Sequence, residues 1–221
     1  MRPLLSIQRN RALTLIEVLV IIFTIAVVVV VLLPALAASK RKSSRVGCIS
    51  NIQQIGIAFR LWEGDNNDKY PMAVSVRNGG AMELITTGNV VACFRVMSNE
   101  LSTPRILYCP ADTNRTCATN FSNGFSDVNI SYFINPEAAE AYPQMIMLGD
   151  DNLLVNGKPV QPGILNLWTN ATVAWGKDRH HGVGNIGMAD GSAQQVTSAG
   201  LQQANQVGLG TNTATGRWLI P

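Results

Sequence analysis

Charge is scarce in this chain: Asp, Glu, Lys and Arg make up 14% of its 221 residues. The small basic excess sits at one end. Arg2, Arg9 and Arg11 stand among the first twelve residues with no acid beside them, whereas from Val46 onward 10 Lys and Arg face 13 Asp and Glu. The body of the protein lacks a basic stripe of the kind that tracks a phosphate backbone, which argues against a nucleic-acid partner. Histidine is limited to His180 and His181. No third or fourth ligand stands near them at metal-ligand spacing, and no Ser or Cys sits in a recognisable nucleophile setting. Long apolar runs are absent too, with one exception.

That exception is residues 18–38, which are 21 positions without a charge. As a helix they reach about 31 Å, roughly the hydrocarbon thickness of a bilayer. The β-branched run 27–31 makes a poor helix in water, but in lipid every backbone group has to be bonded within the segment, which forces one. Basic residues flank both ends, and the short leader favours a cytoplasmic N-terminus. Two residues are unusual for a plain anchor. Glu17 lies inside the apolar run, where a carboxylate costs roughly 2.5–3.5 kcal/mol on insertion scales and normally marks a functional pairing, unless it sits near the cytoplasmic interface and snorkels. Pro34 removes a helix hydrogen bond and is expected to kink or locally loosen the helix.

Beyond the basic cluster Lys40, Arg41, Lys42 and Arg45, the residues Cys48, Ile52, Ile55, Phe59 and Trp62 recur at spacings of 4, 3, 4 and 3. That stripe predicts an amphipathic helix with one buried face, continuous with the membrane stretch over about residues 13–62, some 75 Å long. Asp65, Asn67 and Asp68 follow in a turn-forming cluster. Their oxygens suit a hard cation, but the spaced ligands and closing Glu of an EF-hand are missing, so a solvated helix-ending turn is the expectation.

From residue 71 the pattern changes to short apolar runs between Gly, Pro, Asn, Asp and Ser. Strands are predicted at 105–108, 130–134, 145–148, 172–175, 186–189 and 193–196, with short helices near 81–85 and 93–96. The fold class is α+β, a long N-terminal helix packed on a small antiparallel sheet. Asp190-Gly191 predicts a two-residue type I′ hairpin between the last two strands. His180, nine residues upstream, could serve a metal site or a hydrolytic relay with an Asp, but the hairpin already accounts for Asp190-Gly191. The four Cys allow three pairings, of which Cys109–Cys117 closes the shortest loop; Cys48, on the helical stripe, can equally be a small core residue.

Arg9-Asn10-Arg11-Ala12 followed by Leu13-Thr14-Leu15-Ile16-Glu17-Val18-Leu19-Val20 resembles the prepilin signal of type IV pilins and of the pseudopilins of type II secretion. In that family a short basic leader ends in Gly or Ala, the mature chain opens on an apolar residue, usually Phe, and Glu occupies the fifth mature position. Here Ala12 ends the leader, Leu13 becomes the first mature residue, Glu17 the fifth and Pro34 the twenty-second. Ala in place of Gly and Leu in place of Phe are its departures. The resemblance implies a leader at 1–12, a transmembrane helix at 13–38, an amphipathic continuation at 39–63 and a globular domain at 64–221. It implies cleavage by prepilin peptidase between Ala12 and Leu13, N-methylation of Leu13, and assembly with copies of itself or other pilins and pseudopilins on an inner-membrane platform. The C-terminal domain would then be periplasmic or extracellular. Calcium enters by analogy, since major pseudopilins often hold it in a C-terminal loop.

His180 with Asp190-Gly191 also resembles a C-terminal signature in prepilin-processed proteins of planctomycete- and verrucomicrobia-like bacteria. Members tend to carry segments like Cys48-Ile49-Ser50-Asn51-Ile52-Gln53-Gln54-Ile55-Gly56, Asp68-Lys69-Tyr70-Pro71 and Leu107-Tyr108-Cys109-Pro110-Ala111-Asp112. All three stand in this sequence. The leading expectation is a structural filament subunit with no chemistry of its own. The alternative is a single-pass, membrane-anchored extracytoplasmic binding module without a filament role. Ala35-Leu36-Ala37 offers a rival processing site, at which a general signal peptidase would release the chain from Ala38, although the apolar stretch is about twice a usual secretory one.

Overall fold

The computed structural model describes residues 14–168, 170–212 and 215–221. They fall into two compact units that divide between Lys42 and Ser43. The predicted cleavage residues Ala12 and Leu13 lie outside the described residues.

Helix α1 runs over Leu15–Gly64 and continues through Pro34. In the N-terminal unit its large apolar side chains are exposed all round, Leu15, Ile22, Phe23, Val30 and Leu36 among them. A helix apolar on every side suits lipid or a bundle of its own kind rather than water. Among the described residues α1 is the one helix long and apolar enough to cross a membrane.

In the globular unit the predicted stripe is the buried one. Cys48, Ile52, Ile55, Phe59 and Trp62 are all buried, while Ile57 and Leu61 on the outer side are exposed. They pack against the short helices α2 (Met82–Ile85), α3 (Val90–Val96) and α4 (Ser98–Leu101) and against one face of a sheet. That sheet has six strands, β1 (Tyr132–Ile134), β2 (Ile146–Asp150), β5 (Gly163–Trp168), β7 (Val183–Met188), β8 (Ala193–Thr197) and β9 (Thr215–Ile220). Their order is β5-β9-β1-β2-β7-β8, every neighbour antiparallel. A second antiparallel sheet, β4-β3-β6, uses Lys158–Pro159, Leu153–Val155 and Val173–Trp175.

Strand alternation divides the core in two. Tyr132, Ile134, Leu148 and Leu219 face α1; Phe133, Ile146, Ile186, Trp218 and Ile220 face the other way, toward Leu201 of helix α5 (Ser198–Asn212). The α+β reading is thus the observed fold. Close approach on the α1 side depends on Gly187, where a Cβ would meet Leu148 Cδ2 at 2.8 Å and Ile52 Cγ2 at 3.0 Å.

Three expectations are corrected. Residues 105–108 are not a strand: Pro104–Leu107 is a 3-10 turn, with Pro at its start and Thr103 Oγ1 accepting from Arg105 N–H. The Asp190-Gly191 hairpin is not a two-residue type I′ turn, which needs positive φ at both central residues. Only Gly191 has it, at +84°. Met188 O accepts from Gly191 N–H and Met188 N–H donates to Ser192 O, so the loop has three residues, closed by a left-handed Gly. Finally, Cys109 does not pair with Cys117. The disulfide is Cys48–Cys109, Cys93 is free and buried, and Cys117 is free and exposed. Burial on the α1 stripe brings Cys48 to Cys109 across 61 residues, which no loop-length argument favours.

Candidate functional site

Two places carry the polar groups that the sequence singles out. The first is the start of α1. Glu17 Oε2 accepts from the Thr14 backbone N–H (2.7 Å) and from Thr14 Oγ1 (2.8 Å), while Thr14 Oγ1 accepts from Glu17 N–H (3.3 Å). This is a capping box: Thr and Glu three apart satisfy each other's orphan donors at a helix start. It holds the carboxylate back toward the N-terminal end of the helix.

The second is a buried ionic cluster beneath α1 in the globular unit. Asp178-Arg179-His180-His181 lies between β6 and β7 and delivers Arg179 and His180 inward, both over nine-tenths buried. Arg179 Nη2 is 2.6 Å from Asp112 Oδ2 and 2.5 Å from Asp151 Oδ1, and Arg179 Nη1 donates to Ser131 O. Asp112 also accepts from Ser131 Oγ at 2.8 Å. Arg115 bonds the other oxygen of Asp151 at 2.5 Å and the carbonyls of Asp127 and Pro221. Asp150, wholly buried, accepts from both the backbone N–H and Nδ2 of Asn185.

Burial raises Asp151, although Arg179 and Arg115 oppose it. Burial likewise pushes Asp150 up to about 7, with the Asn185 N–H pulling the other way. Its Oδ1 has no hydrogen-bond partner, as befits a carboxylic acid more than a carboxylate. With Asp150 neutral, Asp112 and Asp151 balance Arg115 and Arg179, so the cluster is charge-compensated in the interior.

His180 Nε2 lies 3.4 Å from Cys109 Sγ and 3.7 Å from Asp150 Oδ2, while its backbone carbonyl accepts from Arg45 on α1 at 3.3 Å. Burial, then the charges of Arg45, Arg179 and His181, lower its pKa to about 4. The imidazole is neutral at physiological pH.

His180 and Asp190 do not form a dyad. Asp190 sits exposed in the hairpin, its side chain accepting from Ser192 N–H at 2.8 Å, while His180 faces the disulfide. The segments quoted for the signature nevertheless meet. Cys48 and Cys109 are bonded, Asp112 pairs with Arg179, and Tyr70 Oη donates to Ala189 O at 2.6 Å beside Asp190. Gly56 closes the arrangement: a Cβ there would stand 3.1 Å from Gly191 O. Chemically this pattern is a clamp that ties α1 to the hairpin and to the loop before β1.

Asp65, Asn67 and Asp68 are exposed in the turn that ends α1. Among the described residues, the one group of three His, Cys, Asp or Glu side chains close enough to share a metal is Cys48, Cys109 and His180. Sequence reasoning missed Arg115, Asp150, Asp151, Arg179 and Asn185. The adjacent acids Asp150-Asp151 and the Arg beside His180 were the available signals. Comparison with known protein families, curated proteins and solved structures finds no match to this chain.

Proposed function

We propose that this protein is a filament subunit of the type II secretion pseudopilus or type IV pilus kind. In this reading it is anchored in the inner membrane by α1 with its N-terminus cytoplasmic, processed and N-methylated by prepilin peptidase at Ala12/Leu13, and without catalysis of its own. The carrying observation is the lone carboxylate Glu17 on a helix whose next 21 residues bear no charge and whose apolar surface is exposed on all sides. A carboxylate in that setting is worth its insertion cost when it is paired. The new cationic amine at Leu13 of a neighbouring subunit supplies the partner, and the pairing then selects one stacking register. Until assembly, Thr14 provides Glu17 with two donors.

Glu17→Ala tests this reading. Membrane insertion should persist while filament assembly or cross-linking between α1 helices is lost; unchanged assembly would remove the register role. A second reading, an anchored extracytoplasmic binding module, draws on a cleft of about 440 Å³ bordered by Asp151, Asn152, Val160, Lys177 and Arg179. It predicts that Glu17→Ala leaves the protein's behaviour intact.

A further inference from the structure

Two sulfurs and an imidazole nitrogen converge where α1 enters the core. Cys48 Sγ, Cys109 Sγ and His180 Nε2 all lie within 4.8 Å of one another, and all three residues are buried. A fourth donor faces the same nitrogen, Asp150 Oδ2 at 3.7 Å. Bonded to each other, the sulfurs are poor metal ligands. Reduced, they are the soft thiolates that zinc prefers, beside an imidazole that binds it equally well.

The spacing suits a metal. Tetrahedral zinc with bonds of about 2.3 Å to sulfur and about 2.0–2.1 Å to nitrogen or oxygen sets its ligand atoms about 3.4–3.8 Å apart. His180 Nε2 is already 3.4 Å from Cys109 Sγ and 3.7 Å from Asp150 Oδ2. The two sulfurs must separate to about 3.8 Å, and the Asp150 carboxylate, which lies outside the 4.8 Å cluster formed by the other three donors, must move in toward them. We propose that the dithiol form of this protein binds one zinc ion through Cys48, Cys109 and His180, with Asp150 as the fourth ligand, so that the ion takes the place of the sulfur–sulfur bond.

The exchange balances. A phosphine reductant delivers two electrons to the disulfide and leaves as its oxide with an oxygen from water; two thiols form, and zinc displaces their two protons together with the proton of the Asp150 carboxyl. The Arg45 guanidinium, which donates to His180 O, offsets the one surplus negative charge of two thiolates and a carboxylate around a doubly charged ion. Every chain begins with its cysteines reduced, before it reaches an oxidising compartment. In that interval the ion would link Cys48 to Cys109 across the same 61 residues that the disulfide later joins. The inference rests on the globular unit's own residues and is independent of the filament reading.

The test uses the full chain in detergent, reduced with a phosphine and titrated with Co2+ and then Zn2+. The expected result is one Co2+ per chain with the visible bands of a tetrahedral thiolate site, displaced by Zn2+, and no binding to the oxidised protein. Cys93→Ser and Cys117→Ser should leave the stoichiometry at one. His180→Ala should weaken binding by at least about tenfold and shift the bands. Circular dichroism and recovery of the Cys48–Cys109 disulfide on reoxidation establish that the His180→Ala chain is folded. The double serine variant of Cys48 and Cys109 tests the sulfurs independently and should bind no Co2+. Absence of stoichiometric binding, bands unaltered in folded His180→Ala, or binding that follows Cys93 or Cys117 instead would each overturn the proposal.

Discussion

Replacing Arg179 with Met is expected to destabilise the globular unit by about 3–5 kcal/mol, because it leaves Asp112 and Asp151 buried with only Arg115 to answer them. The Arg179 side chain is 6% exposed and those of Asp112 and Asp151 are 0% and 4% exposed, so water cannot take over its role. Domain stabilities run to about 5–15 kcal/mol, and at roughly 2–4 °C per kcal/mol the midpoint should drop by roughly 6–20 °C. A built-in control is the Arg60–Glu140 pair, whose side chains are 41% and 42% exposed; Arg60→Ala should change stability by less than about 1 kcal/mol. Urea unfolding of detergent-solubilised chain at pH 7, followed by circular dichroism, compares the two. The Arg179→Met deficit should also shrink toward acid pH, since protonating the orphaned carboxyls removes their buried charge. A loss under about 1 kcal/mol, equal to that of Arg60→Ala, would refute the idea that this cluster holds the fold together.

The two central titrating groups of the cluster oppose each other in pH. His180, lowered to about 4 from about 6.5 when exposed, gives stability that is present above pH 6.5 and lost as pH falls toward 4, by about 3 kcal/mol in all. Asp150, raised to about 7, has the opposite slope, its contribution being lost as pH rises from about 4 to 7. Asp150→Asn, which can still accept from Asn185, should therefore be more stable than the wild type at pH 8, by up to about 4 kcal/mol, and lose that advantage by pH 4. A difference independent of pH in urea titrations would contradict this assignment. Removing the disulfide with Cys48→Ala should cost about 4 kcal/mol, from the loop entropy of its 61-residue separation. Peptide mapping of alkylated protein should find Cys93 and Cys117 free, and a Cys109–Cys117 peptide would disprove the pairing.

The helical parts of the fold were legible because periodicity is a local signal. The stripe from Cys48 to Trp62 placed α1 correctly over the core, and the helix observed over Leu15–Gly64 differs from the expected 13–62 by two residues at each end. Strands β1, β2, β6, β7 and β8 each overlap a predicted apolar run. Strands β3, β4, β5 and β9 were missed, since Leu153–Val155, Lys158–Pro159, Gly163–Trp168 and Thr215–Ile220 contain or adjoin Asn, Gly and Pro that read as loop, and they form through their pairing in the sheets. Helix α5 was missed as well, because Ser198–Asn212 is rich in Gly, Gln and Asn and gains its burial from Leu201 against the sheet. The ionic cluster was less visible still. Asp112, the Asp150-Asp151 pair and Arg179 are far apart in the chain, and only the topology that lays the loop before β1 beside the β6–β7 connection brings them together. His180 and Asp190 take separate places: His180 stands with Cys109 and Asp150, which the chain order does not reveal, while Asp190 stays in its own hairpin turn as expected.

The N-terminus of the mature protein tests the central claim most directly. Intact mass and N-terminal peptide analysis, on protein purified from membranes of a host that expresses its own prepilin peptidase, should find a chain beginning at N-methylated Leu13, with Glu17 fifth. A native chain that still begins at Met1, or one that begins at Ala38, would contradict the filament account.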